Sequence, residues 1–200
     1  AIKLASQGFR VTPYMADTLN SYQERFYKFK TTREIFYKKD GFKFNDVFIQ
    51  KDLAQSLKLI STDGRKSFYE GQIAKKIVTD MKKNDGLLTL NDLKQYRSSW
   101  RKPLIGDYRG YKIITMPPPS SGGLHLIQML NILESFDLKL LGHNSAEYVL
   151  LLSEVMKYAF ADRSKYLGDP DFVDVPVSEI ISKQYSDRIA SKIELNEATP

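Results

Sequence analysis

Apolar positions along the chain follow two periods. From 111 to 116 they alternate: Tyr111, Ile113 and Thr115 fall on one side, Lys112, Ile114 and Met116 on the other. That is the two-residue period of a strand. Pro117, Pro118 and Pro119 stop it, because proline locks φ and brings no N–H to a ladder or a helix. Beyond them Leu126, Met129, Leu130 and Leu133 recur at i, i+3, i+4 and i+7, the period of a helix. Leu124, Ile127 and Ile132 fill other faces, so this helix is expected to be buried on most sides. Ser120 and Ser121 supply cap hydroxyls, and Gly122 and Gly123 allow a tight turn into the helix. Strand, proline elbow and apolar helix form the unit around which the rest is arranged.

The remaining pattern is mostly helical. Thr12–Pro13 starts a helix expected to run to about Phe29, with Met15, Leu19, Tyr22 and Phe26 on its stripe. A short helix through Ile35 and Phe36, a turn at Asp40–Gly41 and an extended aromatic piece at Phe42, Phe44 and Phe48 follow. Leu53, Leu57 and Ile60 predict a helix ending before Asp63–Gly64; Phe68 and Tyr69 begin a short turn. Ile73, Ile77 and Met81 predict another helix, and Thr89 with Asp92 a capping box. Residues 100–107 and 111–116, joined at Arg109–Gly110, read as a hairpin. Asn144, with Glu147 three residues on, is expected to cap a long helix with a Val149, Leu152, Met156, Ala159 stripe, closed by Gly168. Ile181, Tyr185, Ile189 and Ile193 predict one last helix. The count is about eight helical segments and one or two hairpins, so the fold class is α+β and predominantly helical. The organisation reads as a helical region over 1–99, the hairpin, elbow and core helix over 100–136, and a second helical region over 144–200.

Composition narrows this little. The 200 residues are 42% hydrophobic and 27% charged, with net charge +6 and no cysteine. The missing cysteine excludes a disulfide framework, thiolate zinc and a cysteine nucleophile. No apolar run reaches the ~18 residues of a membrane span, and no signal or lipidation motif is visible. Residues 22–43 mix Arg25, Lys28, Lys30, Arg33, Lys38 and Lys39 with aromatics. Such a stretch can bind nucleic acid or an anionic surface, but the favoured reading is a solvated helix face over a Tyr/Phe core side. Residues 1–5 read as the last turns of a helix ending near Gly8, so the chain reads as a piece of a longer one.

Candidate chemistry is sparse. Gly122 and Gly123 at a helix start can hold an anion, but a close turn explains them and neither phosphate-loop spacing is present. Asp169, Asp171 and Asp174 can be read as calcium ligands, although the spacing is not an EF-hand and Pro170 suits a turn. Glu154 and Asp162, eight apart on the long helix, can do acid–base work; ion pairs with Lys157, Arg163 and Lys165, or a buried Asp162–Arg163 pair, explain them as well. His125 and His143 read as packing or capping residues. Ser120–Ser121 before Gly–Gly is not a nucleophile elbow.

The string MPPPSSGGLHLIQMLNILE resembles the PPPSSGG segment in the large subunit of γ-glutamyltranspeptidases (glutathione hydrolases). The likeness extends through GDYRGYKI, FYEGQIAKKI and KYAFADRSKYLGDPDFVDVP, with Phe160 where the family text has tyrosine. It implies an N-terminal nucleophile hydrolase of αββα architecture, made as a zymogen. The parent enzyme would transfer the γ-glutamyl group of glutathione to water or amino acids through a threonine ester. The resemblance puts nucleophile and oxyanion hole in a small subunit cut from the same precursor, and the carboxylate-binding arginine upstream. It does not make Thr199 the nucleophile. No catalytic, substrate-binding or metal-binding residue is therefore assigned among the 200, and no cofactor is implied. Expected partners are the small subunit and a γ-glutamyl donor, without nucleic acid or a membrane span. The expected location is periplasmic or extracellular, and the segment alone is expected to be inactive. The competing reading is a non-catalytic helical binding module from a degenerate paralogue.

Overall fold

The computed structural model describes residues 1–199, which form two compact units, Ala1–Ser98 and the stretch from Ser99 onward. The first contains α1 (Ile2–Gln7), β1 (Phe9–Arg10), α2 (Pro13–Ser21), α3 (Gln23–Tyr27), α4 (Lys30–Phe36), β2 (Val47–Phe48), α5 (Lys51–Asp63), α6 (Arg65–Tyr69), α7 (Gln72–Lys83) and α8 (Leu90–Gln95). Thr12 Oγ1 accepts from the Met15 N–H at 3.2 Å with Pro13 at the first helical position, as the sequence predicts. The helix does not reach Phe29. It breaks at Tyr22, and the bend lets Phe26 on α3 meet Phe36 on α4 at 5.6 Å. Phe36 and Phe42 then pack on Phe48, beside buried Val11 and Ala16. Phe48 lies in a strand paired antiparallel with β1, a pairing that local alternation could not reveal because its partner lies across three helices.

In α5 the expected stripe is misplaced. Leu53 and Ile60 are exposed and Ala54 is the buried residue. α5 packs on α1, where Ala5 is buried, so the contact is made by small side chains. The Thr89–Asp92 capping box closes in both directions: the Asp92 N–H donates to Thr89 Oγ1 at 3.2 Å and the Thr89 N–H to Asp92 Oδ2 at 2.8 Å.

The second unit contains β3 (Leu104–Tyr108), β4 (Tyr111–Thr115), α9 (Ser121–Leu133), α10 (Leu138–Leu141), α11 (Ala146–Tyr166), α12 (Val177–Ile180) and α13 (Lys183–Ala190). β3 and β4 pair from Leu104↔Thr115 to Tyr108↔Tyr111. Arg109 and Gly110, both at positive φ, make the two-residue turn whose twist suits a hairpin. Ser145, not Asn144, caps α11: the Tyr148 N–H donates to Ser145 Oγ at 3.0 Å while Asn144 takes a positive φ. The helix ends at Tyr166 rather than Gly168. The helix expected over 181–193 is α13, shorter at both ends: Ser182 caps it through the Tyr185 N–H, and Ile181 and Ile193 lie outside it, with α12 a separate short helix before them. With α3 separate from α2, and α6, α10 and α12 not expected as helices, there are thirteen helices among the described residues, not about eight.

The core of this unit gathers Ile132, Leu133, Leu151, Val155, Ile189, Ala190 and Ile193 from α9, α11, α13 and the segment after it. On α9 the residues most deeply covered are Leu124, Ile127, Gln128, Asn131 and Ile132. Leu126, placed on the buried stripe by periodicity, is exposed. On α11 the buried set is Leu151, Glu154, Val155, Ala159 and Asp162, while Val149 and Met156 face outward. Polar side chains hold core positions on both helices, and a count of apolar residues alone therefore rotates each stripe.

Candidate functional site

The proline elbow leads straight into α9. A Cβ on Gly123 would collide with the Met116 carbonyl oxygen and lie 2.6 Å from Thr115 Oγ1. Gly123 is therefore required for close contact of helix and strand. Gly122 has no such constraint, its nearest neighbour being Ser120 Oγ at 3.7 Å. Ser120 occupies the cap position without a side-chain cap bond.

From the first turn of α9 a polar chain runs through the core. The Tyr185 hydroxyl donates to Asp162, at 2.9 and 2.8 Å from its two oxygens, and Gln128 Nε2 donates to Asp162 Oδ2 at 2.5 Å. With its amide nitrogen on the carboxylate, Gln128 presents Oε1 to His125 Nδ1 at 2.8 Å. That oxygen can only accept, which assigns the imidazole proton to Nδ1. His125 Nε2 is buried and has no partner among the described residues. Burial, and then the Asp162 carboxylate, push the Tyr185 phenol well above its ordinary value. The chain ties α9, α11 and α13 together through neutral donors. The alternative Asp162–Arg163 pair does not form. Adjacent helical positions project about 100° apart, and Arg163 lies over the Phe160 ring at 5.9 Å.

Glu154, only 1% exposed, pairs with Lys157 Nζ at 3.0 Å and accepts from Thr199 Oγ1, while the same Nζ donates to the Thr199 carbonyl. Both candidate acid–base carboxylates are thus engaged, each with its own partners. The aspartate loop is a turn: the Asp171 N–H donates to Asp169 Oδ1 at 3.0 Å. Arg101 Nη2 binds it from outside, 2.6 Å from Asp171 Oδ2 and 3.6 Å from Asp169 Oδ1, and Asp174 is exposed. No cluster of three metal-ligating side chains occurs among the described residues. His143, exposed, meets Asn144 Nδ2 at 3.1 Å and shares no partner with His125. No serine or threonine hydroxyl is hydrogen-bonded to either histidine among the described residues.

Sequence reasoning passed over Gln128, Tyr185 and Arg101. An amide inside an otherwise apolar helix was the available signal for Gln128. For Tyr185 and Arg101 there was none, since their partners lie 23 and 70 residues away.

Around the elbow lie two open clefts of about 640 and 730 Å³, which share Arg101, Pro117 and Pro118. Phe172 and Val173 line the first, Ile114 and Met116 the second. The outer side of the hairpin leaves the paired Ile105 and Ile114 exposed.

The γ-glutamyltranspeptidase family model matches residues 1–200. A glutathione hydrolase proenzyme of Escherichia coli K12 is 46% identical over 202 residues, covering 100% of this chain and 35% of that protein. The acylase ACY 1 proenzyme of Pseudomonas sp. strain SE83 is 40% identical over 203 residues, covering 99% of this chain and 36% of that protein. The crystal structure of Helicobacter pylori γ-glutamyltranspeptidase superposes with a TM-score of 0.92 at 48% identity, covering 100% of this chain and 58% of that one. The chain spans about a third of the length of these curated relatives. With the match running over every residue, this chain belongs to the γ-glutamyltranspeptidase family.

Proposed function

We propose that these 200 residues are one segment of the larger chain of a γ-glutamyl-transferring hydrolase. The observation that carries the reading is the family match over the whole chain. In the parent, a threonine hydroxyl attacks the γ-glutamyl carbonyl of glutathione. The amide C–N bond breaks, the amine of the departing dipeptide takes the proton, and a γ-glutamyl ester remains. Water or an amino acid then cleaves that ester, regenerating the hydroxyl. The nucleophile belongs to a companion chain cut from the same precursor, a division consistent with relatives named as proenzymes. Three features support a scaffold role for the present segment: Glu154 and Asp162 are engaged by neighbouring side chains, no hydroxyl is set on a histidine among the described residues, and Gly123 at the elbow is held by close packing on Thr115 and Met116.

The same reading gives the companion chain a place to dock. A two-stranded hairpin is marginal by itself, and β3 and β4 have no further strand beside them among the described residues. Their outward Ile105 and Ile114 are exposed, as are Met116, Trp100 and Phe172 near the elbow. The companion chain covers this face. No helix among the described residues is long and apolar enough to cross a membrane. The parent resides in the periplasm or outside the cell, a reading that rests on the family resemblance.

The test is a trapping experiment on the full-length precursor. Incubated with glutathione it should mature into two chains, release glutamate, and carry the γ-glutamyl ester on the chain that lacks these 200 residues. An adduct within 1–200, or absence of turnover by a matured protein, would overturn the reading; the latter outcome favours a non-catalytic binding module. The acylase among the relatives supports a second donor class. Release from a non-glutamyl amide but not from glutathione would select it.

A further inference from the structure

The region 22–43 carries seven cations against three acids, a net +4 within a chain of net +6. The structure divides its aromatic residues into two sets. Phe26, Phe36 and Phe42 turn inward to the cluster on Phe48. Tyr22, Tyr27, Phe29 and the aliphatic Ile35 stay outside, with Phe29 65% and Tyr27 53% exposed. At the α3–α4 corner the run Tyr27–Lys28–Phe29–Lys30 alternates rings with lysines, and all four side chains are exposed. Lys38 is neutralised by Asp46 at 2.6 Å. Lys28, Lys30 and Lys39 have no carboxylate within ion-pair distance among the described residues.

We infer that this corner is a docking surface for a bilayer containing anionic phospholipid. Exposed rings beside lysines match the chemistry of a headgroup layer: the rings enter at headgroup depth, the alkyl stems lie along apolar surface, and the ammonium groups meet phosphate. Charge complementarity sets the sign of the partner, and the exposed Phe29 and Ile35 set its apolar character. A single-stranded nucleic acid fits less well, because it needs free ring faces for stacking. Arg25 already lies over the Tyr22 ring at 5.3 Å and Arg33 over the Tyr27 ring at 4.7 Å. Tyr27 also meets Tyr37 edge-on at 5.1 Å. The surface is independent of the γ-glutamyl chemistry, so turnover has no bearing on it.

Flotation of the full-length protein with phosphatidylcholine vesicles, with and without about one third phosphatidylglycerol, tests the inference. Retention is expected on the anionic vesicles alone at low salt, and release as salt rises. Combining Phe29→Ser with Lys28→Gln and Lys30→Gln should weaken retention at least about tenfold, with melting temperature and turnover unchanged. In a full-length protein whose native tryptophans, Trp100 among them, are replaced by Phe, the fluorescence of Phe29→Trp should shift to the blue when anionic vesicles are added. Absence of low-salt retention, equal retention on neutral vesicles, or retention indifferent to these substitutions would overturn it. So would preferential capture of RNA, or self-association abolished by the same changes.

Discussion

The two units are held together by different means. Among the described residues the first buries nine apolar side chains, four of them alanines: Ala5, Ala16, Ala54 and Ala74. Six of the nine sit in two separate small clusters, one of Val11, Ala16 and Phe48, another of Ala74, Val78 and Leu93. The second unit buries twelve, mostly leucine, isoleucine and valine, and nearly all of the buried polar groups: His125, Gln128, Asn131, Glu154, Asp162 and Ser186. Larger side chains remove more apolar area from water, and buried polar groups impose partners. The second unit thus combines a larger driving force with a more specific arrangement, while the first leans on close helix contacts and local caps. The difference concentrates fully buried side chains on α9, beside the elbow.

The largest expected effect is in that core. Leu151→Ala removes a side chain with no solvent exposure and should lower the opening free energy of α11 by about 2–5 kcal/mol, read by hydrogen exchange on the full-length protein. A loss below about 1 kcal/mol would mean the core collapses around the cavity and the contrast between units is overstated.

Asp162→Asn comes next. It turns an acceptor into a group that must meet both the Gln128 amide nitrogen and the Tyr185 hydroxyl. A loss of about 1–3 kcal/mol is expected, shared by α9, α11 and α13, because a buried donor loses its partner. Protection that falls on α11 alone would contradict a network joining the three. Thr89→Ala opens the capping box in the first unit and should cost about 1 kcal/mol, confined to α8.

The smallest effect is a pH dependence. The Lys183 ammonium, and then the Arg109 backbone N–H, hold the Glu134 carboxyl below its ordinary value of 4.5. The folded state therefore binds fewer protons than the unfolded state just below that value. Stability from this contact is present above pH 4.5 and is lost as pH falls through the lowered folded value. Melting temperature should decline on acidification across that window, with a shallower decline in Glu134→Gln. Tyr185 acts at the other extreme. Its raised pKa means the folded state keeps a proton the unfolded state gives up, so stability falls as pH rises above about 10.

Local chemistry was readable wherever cause and effect lie within a few residues. The hairpin followed from alternation plus Arg109–Gly110, the α2 start from Thr12–Pro13, and the α8 cap from Thr89 and Asp92. The PPPSSGG text led to the family by resemblance, and the match over 1–200 establishes it. The choice of buried face was not readable on α5, α9 or α11. Periodicity counts apolar residues, whereas Gln128 and Asp162 are buried with each other and with His125 and Tyr185 as partners, and Glu154 with Lys157 and Thr199.

The sequence by itself thus determined the β3–β4 hairpin, the starts of α2 and α8 and the strand–proline–helix elbow, since dihedral limits and caps act over a few bonds. Only the tertiary structure decided which sides of the helices face inward, where α2 breaks and where the last helix begins and ends, and that Phe48 pairs with Phe9. Those outcomes depend on desolvating polar groups against partners far along the chain, and that cost is defined only once the partners are in place.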